Sequence, residues 1–205
     1  TFENDKGGFD WNWWKGDDEL RVDSISASKD ADNNDVITAN VTLPQVGNTS
    51  LVMTYTILGD GAVKVDMKVD ATHSGMGSFL RVGSLMTTAE GYENVKWYGN
   101  GPVESLSDRK TFGRQGIYSS TVDELFYPYL KVDDTGTMTD TNWMALSGEG
   151  KDTLLVVATT PLEMQALHFT PDDLNSTNHP YGLNPRKETM VGVNYGSRGT
   201  GGATC

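Results

Sequence analysis

Cysteine is nearly absent from this chain: of 205 residues only Cys205 carries a thiol, and it is the last one. A lone thiol closes no internal bridge, so a disulfide framework is excluded and the redox compartment is left open. A chain of this length buries roughly 70% of its unfolded surface, so it needs neither bridges nor metal to fold. Positive charge is also scarce. Lys and Arg total 16 against 28 Asp and Glu, for a net charge of -12. A phosphate-backbone binder needs a basic footprint, and none is present, so nucleic acid is excluded as a partner. Neutral sugars remain compatible, because hydrogen bonds and aromatic faces recognise them. Long apolar runs are missing; the stretch 154–158 is far too short to span a bilayer, and no membrane partner is expected. No segment sustains an apolar period of 3.6, and only 121–126 offers a turn or two of helix. The histidines, His73, His168 and His179, are widely spaced and form no metal pattern, so no metal site is expected here. No signal peptide opens the chain, and both ends read as cuts within a larger protein.

What the sequence does have is period-2 patterning. Residues 20–27, 36–43, 51–57 and 62–69 read as strands; Val63, Val65, Met67 and Val69 alternate with Lys64, Asp66 and Lys68, which marks one wet face. Turn residues at 30–35 and 59–61 separate these runs at near-regular spacing, as in a β-meander. Further strands are expected at 79–88, 95–98, 153–159, 164–169 and 188–195, and 23 glycines suit a turn-rich β fold. Residues 99–143 read as a long irregular stretch of the kind that is functional or packs as a structured arm. With no repeat or linker, 1–205 reads as a single all-β domain.

The densest segment is Trp97-Tyr98-Gly99-Asn100-Gly101-Pro102-Val103-Glu104-Ser105-Leu106-Ser107-Asp108-Arg109, followed by Tyr127-Pro128-Tyr129. Gly99 and Gly101 permit positive φ and Pro102 fixes the exit. Glu104, Asp108 and Arg109 are placed to form an ion-pair cluster that pins the loop. A rigid loop is the favoured reading, with direct substrate contact as the alternative. Carboxylates are plentiful (Glu90, Glu93, Glu104, Asp108, Asp123, Glu124), yet nothing marks a pair held in split environments, and most read as solvated groups. Residues 30–35 are acidic but lack the Gly at position 6 and the Glu at position 12 of a calcium loop, so a turn is favoured over a calcium site. His168 or His179 beside a Glu has the chemistry of acid–base proton transfer at a sugar's anomeric centre; packing is the simpler reading. Trp11, Trp13 and Trp14 would anchor the N-terminal region to a neighbouring domain or, if bare, stack on sugar rings. Asn40, Asn48 and Asn175 head triplets that match glycosylation acceptors, a pattern that chance often supplies.

The dense segment resembles the motif W-x-G-x-G-P-x-E-x-Y-x-D-R of the small-chain domain of family 2 β-galactosidases. Trp97, Gly99, Gly101, Pro102, Glu104, Asp108 and Arg109 match it, and Leu106 replaces the usual Tyr. Downstream, Tyr127-Pro128-Tyr129, Gly136, Asp140 and Trp143 are similar to the family's next stretch, with Thr137 and Met138 where Asn-Arg is usual. Leu167-His168-Phe169-Thr170, Asp172-Asp173-Leu174 and His179-Pro180-Tyr181 follow in the family's order. Gly199 to Cys205 is similar to its terminal loop, and Asn4-Asp5-Lys6-Gly7 with Trp13-Trp14-Lys15-Gly16 to its opening.

The resemblance implies a large antiparallel β-sandwich of the galactose-mutarotase type, a supersandwich, packed beside a separate (β/α)8 barrel of a longer parent. It implies that the barrel carries both catalytic glutamates and the divalent-metal ligands, magnesium for example, so that this chain has no catalytic residue and no cofactor of its own. It also implies that the loop with Gly202, Thr204 and Cys205 joins the rim of the sugar pocket, Cys205 standing where an aromatic side chain is common. The expected partners are the remaining parent domains, galactosides, and further copies in a homo-oligomer, in a bacterial cytoplasm or periplasm. Two other readings stay open: a free-standing carbohydrate-binding module, which needs an exposed aromatic platform, and an aldose 1-epimerase-like enzyme, which needs a His and a carboxylate converging in a concave face.

Overall fold

The computed structural model describes residues 16–75, 77, 79, 81–130, 132 and 134–197. The chain forms two compact units, Thr1–Leu80 and Arg81–Cys205. Both are built on antiparallel sheets, the components of the all-β class that the alternation predicts.

In the first unit, β1 (Arg21–Lys29), β2 (Asp35–Leu43), β3 (Thr49–Ile57) and β4 (Val63–Asp70) pair in sequence order. The register puts Ile25, Ala39, Met53 and Met67 in one row across the sheet, and Ala27, Ile37, Tyr55 and Val65 in the next. Ser26, Thr38, Thr54 and Asp66 form a row on the opposite face, so the period-2 pattern of each strand becomes one apolar and one polar face. The acidic run after β1 is a turn: Asp30 Oδ1 accepts the backbone N–H groups of Asp32 and Asn34, both at 2.9 Å.

The second unit holds β5 (Arg81–Thr87), β6 (Asn94–Gly101), β7 (Arg114–Thr121), β8 (Thr137–Ser147), β9 (Leu154–Leu167) and β10 (Met190–Ser197), in the sheet order β5-β10-β9-β8-β6-β7. Two short helices, α1 (Val122–Leu125) and α2 (Pro171–Asn175), each start with a capping box, from Thr121 with Glu124 and from Thr170 with Asp173. The core lies on one sheet face, where Trp97, Met144, Leu146, Met164 and Val191 are fully buried against Val122 and Leu125 of α1. Trp97 pairs its Nε1–H with the Asn100 carbonyl at 2.9 Å, so the indole is buried without an orphan donor.

The 99–143 stretch is thus more ordered than its sequence suggests, since β7 and most of β8 lie in it. β8 hides its period because Thr137, Thr139 and Thr141 are buried polar residues, and its pairing with β9 slips at two places around Asp140, whose φ is 51°.

Candidate functional site

The 97–109 loop leaves β6 and is held from several sides. Glu104 Oε2 accepts the Gly136 N–H at 2.7 Å, and Oε1 accepts Arg109 Nη2 at 2.7 Å. The same Nη2 donates to the Tyr129 hydroxyl at 2.5 Å, and that hydroxyl donates in turn to Glu104. One carboxylate, with only 10% of its side chain exposed, therefore collects three donors from three parts of the chain. Burial and the hydrogen bond to Glu104 push the Tyr129 hydroxyl above its ordinary pKa. The hydrogen bond to Tyr129, and the charge of Glu104, raise Arg109. Ser105 ties the loop to β8: its N–H donates to the Thr137 carbonyl at 2.7 Å and its hydroxyl shares a hydrogen with Thr139 Oγ1 at 2.7 Å.

The rigid-loop expectation names the right loop but not every partner. Among the described residues, Arg109 pairs with Glu104 and Tyr129, and Asp108 is exposed outside that cluster. Gly99 and Gly101 are required for a different reason than positive φ, which neither adopts. A Cβ on Gly99 would meet Thr141 Oγ1 at 2.5 Å, and one on Gly101 would run into the Tyr118 ring. Pro102 follows a cis peptide bond.

A second constellation surrounds His168 at the end of β9. The ring is 7% exposed and lines a cleft of about 590 Å3 with Glu90, Glu93, Asp123, Lys151 and Lys187 among its walls. Nε2 lies 2.9 Å from Glu93 Oε2 and 3.9 Å from Asp123 Oδ1; Nδ1 lies 3.0 Å from the Glu188 carbonyl. Both ring nitrogens thus face acceptors, which only the doubly protonated imidazolium satisfies. Burial opposes the charge, but the Glu188 carbonyl, the Glu93 carboxylate and Asp123 outweigh it and hold the pKa above the ordinary value. Below it, Asp173 accepts Arg186 Nε at 2.5 Å and Nη2 at 2.9 Å; that fork holds its carboxyl at about 2 despite burial. Arg186 N–H also donates to the His168 carbonyl at 2.9 Å.

The His-plus-carboxylate convergence that sequence left open is therefore present for His168 and Glu93. His179 is elsewhere, stacked on the exposed Tyr181 at 5.1 Å between ring centroids. Glu93 reads from sequence as one more solvated carboxylate; the 75 residues between it and His168 hide the pairing. Gly202, Thr204 and Cys205, like Trp11, Trp13 and Trp14, lie outside the described residues. No group of three His, Cys, Asp or Glu side chains among the described residues is arranged to hold a metal ion, and no helix there is long and apolar enough to cross a membrane.

Comparison with known proteins gives these contacts a context. A family profile described as "Beta galactosidase small chain" matches residues 1–205. The β-galactosidase of Priestia megaterium is 31% identical over 153 residues, which cover 75% of this chain and 15% of that protein. The β-galactosidase of Lactobacillus delbrueckii subsp. bulgaricus is 26% identical over 204 residues, 98% of this chain and 20% of the relative. In Vibrio cholerae the matching β-galactosidase is 34% identical over 87 residues, 42% of this chain and 8% of the relative. The chain thus spans at most about a fifth of the length of these relatives. With every residue inside the family profile and the pinned 97–109 loop at its centre, the chain belongs to the β-galactosidase small-chain family.

Proposed function

We propose that this chain is an accessory domain of a β-galactosidase that hydrolyses terminal non-reducing β-D-galactose residues. In this reading it walls one side of the sugar pocket, with Gly202, Thr204 and Cys205 on the rim, and supplies interdomain surface. Acid, nucleophile and the divalent metal, magnesium for example, belong to the parent's barrel. The observation that carries the reading is the family match over the whole chain, while the relatives are five or more times longer. The fixed 97–109 loop supports it, because a carboxylate that already accepts three donors suits scaffolding rather than proton transfer. Retaining hydrolysis needs two carboxyls about 5 to 5.5 Å apart, one protonated and one ionised. Glu104 is bound to Arg109 and Glu93 to His168, so each of these two carboxylates is already held by a side chain of this chain. The test is deletion of this segment from the full-length enzyme, followed by assay with a chromogenic β-galactoside. The reading expects kcat/KM to fall by at least about 100-fold; full activity without the segment overturns it.

The His168–Glu93 contact in its cleft favours a second reading, aldose 1-epimerase chemistry. It is the weaker one, because His168 Nε2 is turned onto Glu93 and Nδ1 onto a backbone carbonyl, leaving no ring nitrogen free for a sugar. Polarimetry of freshly dissolved α-D-galactose decides: mutarotation accelerated by the chain and lost in His168→Gln would establish it.

A further inference from the structure

The His168 ring joins three elements that lie far apart in sequence. It stands directly after β9, and its own carbonyl is fixed by the Arg186 N–H at 2.9 Å. Nδ1 faces the carbonyl of Glu188, two residues before β10. Nε2 faces Glu93, the residue before β6, at 2.9 Å and Asp123 of α1 at 3.9 Å. The other charged groups around the cleft have different partners. Lys187 lies 3.7 Å from Glu90, Arg186 is forked by Asp173, and the Lys151 ammonium stands 5.5 Å from the centre of the Tyr92 ring. Glu124 of α1 turns to Ser120 and Thr121. Among the described residues, His168 is thus the one cation within 4 Å of the Glu93 carboxylate.

The two acceptors on the ring differ in their freedom. The Glu188 carbonyl belongs to the main chain that leads into β10, and the next residue, Thr189, is fully buried. Thr189 is tied on three sides: its N–H donates to Thr88 Oγ1 at 3.3 Å, its carbonyl accepts the Thr88 N–H at 3.0 Å, and its hydroxyl donates to the Tyr92 carbonyl at 2.9 Å. The Glu188 carbonyl therefore has no room to turn away. The Glu93 backbone is also fixed, since its carbonyl accepts the Val122 N–H at 2.9 Å, but its side chain is 44% exposed and free to rotate into water. A neutral imidazole keeps a single N–H. Kept on Nδ1, that proton preserves the bond to the immobile carbonyl and sets an Nε2 lone pair against a carboxylate that is able to leave. Kept on Nε2, it sets a lone pair against a carbonyl that cannot withdraw, which is the costlier arrangement.

We propose that His168 is a proton-operated latch: protonated, it withholds Glu93 from the cleft, and on losing its proton it keeps the Glu188 carbonyl and releases the Glu93 side chain. The main-chain anchors at Tyr92 and Glu93 confine the change to that side chain, so the sheet stays paired. Release turns an Nε2 lone pair and a free carboxylate into the cleft of about 590 Å3; in the latched form each is spent on the other.

Nitrogen-15 NMR of the whole chain reads the tautomer, with His168→Gln identifying the signals of this ring. The latch expects the Nδ1–H form above the ring's titration; the Nε2–H form there overturns it. Diethyl pyrocarbonate, which attacks an unprotonated ring nitrogen, reads the release, and peptide mass spectrometry locates the adduct. Glu93→Gln separates release from titration, because a carboxamide NH2 donates to Nε2 of the neutral ring and holds the contact in both protonation states. Well above the titration, His168 is expected to react about tenfold faster in the parent sequence than in Glu93→Gln. Equal rates in the two proteins overturn the release of Glu93. The titration midpoint of His168 is expected to fall in Glu93→Gln, for want of the carboxylate charge; an unmoved midpoint overturns the pairing on which the latch is built.

Discussion

Glu104→Ala removes the acceptor that gathers the 97–109 loop, and its cost follows from what is left behind. The Gly136 N–H loses a charge-assisted bond at 2.7 Å, the Tyr129 hydroxyl loses its acceptor, and Arg109 loses its counter-charge. A hydrogen bond to a charged group contributes about 1.5 to 3 kcal/mol when buried, and a stranded buried donor costs about 1 to 3 kcal/mol. The Arg109 share is small, because its side chain is 46% exposed and solvent screens the pair. The three losses overlap rather than add, so the expected destabilisation is about 3 kcal/mol. Glu104→Gln is expected to cost nearly as much. A carboxamide offers one acceptor, and its NH2 must face either the Gly136 N–H or the Arg109–Tyr129 pair, donor against donor. Urea unfolding of the chain, followed by tryptophan fluorescence, reads the change in midpoint; Trp97 reports the second unit from within its core. A loss below about 1 kcal/mol in Glu104→Ala, or a Gln variant as stable as the parent sequence, would refute the reasoning.

The raised pKa of His168 has a definite sign. Its contribution to stability is complete below pH about 6.5, the ordinary histidine value, and is lost as pH rises through the higher folded value. Unfolding midpoints between pH 5.5 and 9 should fall with rising pH, and His168→Gln should flatten that slope; equal slopes would count against the imidazolium clasp. Asp173 runs the other way: held at about 2, it stabilises above pH about 4 and loses its effect as pH falls through about 2. Asp173→Ala should cost about 1 kcal/mol through the lost capping box alone and weaken the acid limb of the stability profile. Gly101→Ala should destabilise by about 1 to 3 kcal/mol, since its new methyl group meets the Tyr118 ring, and Tyr118→Ala should recover part of that loss in a double variant.

How much of this was legible depends on distance along the chain. The four-stranded meander is written in its alternation, and the turn residues at 30–35 and 59–61 fall where the chain reverses. β9 reads as two strands because Pro161 interrupts it where pairing slips, from Leu162 opposite Thr141 to Val157 opposite Trp143. β7 hides as a polar edge strand. α2 carries a complete start signal, Thr170 with Pro171 and Asp173, but at five residues it is too short for any period to show. At the site, composition points to the 97–109 loop, since Gly, Pro, Glu and Arg together signal a fixed turn. It sets Tyr127-Pro128-Tyr129 beside that loop without pairing Tyr129 to Arg109, 20 residues away, and it does not single out Glu163, whose burial is a tertiary fact. The sequence reading of Gly99 and Gly101 finds the right residues through the wrong cause: close approach of Thr141 and Tyr118, rather than left-handed backbone, leaves no room for a side chain.

The most direct test of the accessory-domain account is turnover of a chromogenic β-galactoside by the purified 205-residue chain alone, beside the full-length enzyme. The account predicts no turnover above buffer for the chain, with activity in the longer protein. Hydrolysis that stays with the chain through repeated purification, and is lost on replacing one of its own carboxylates, would contradict it.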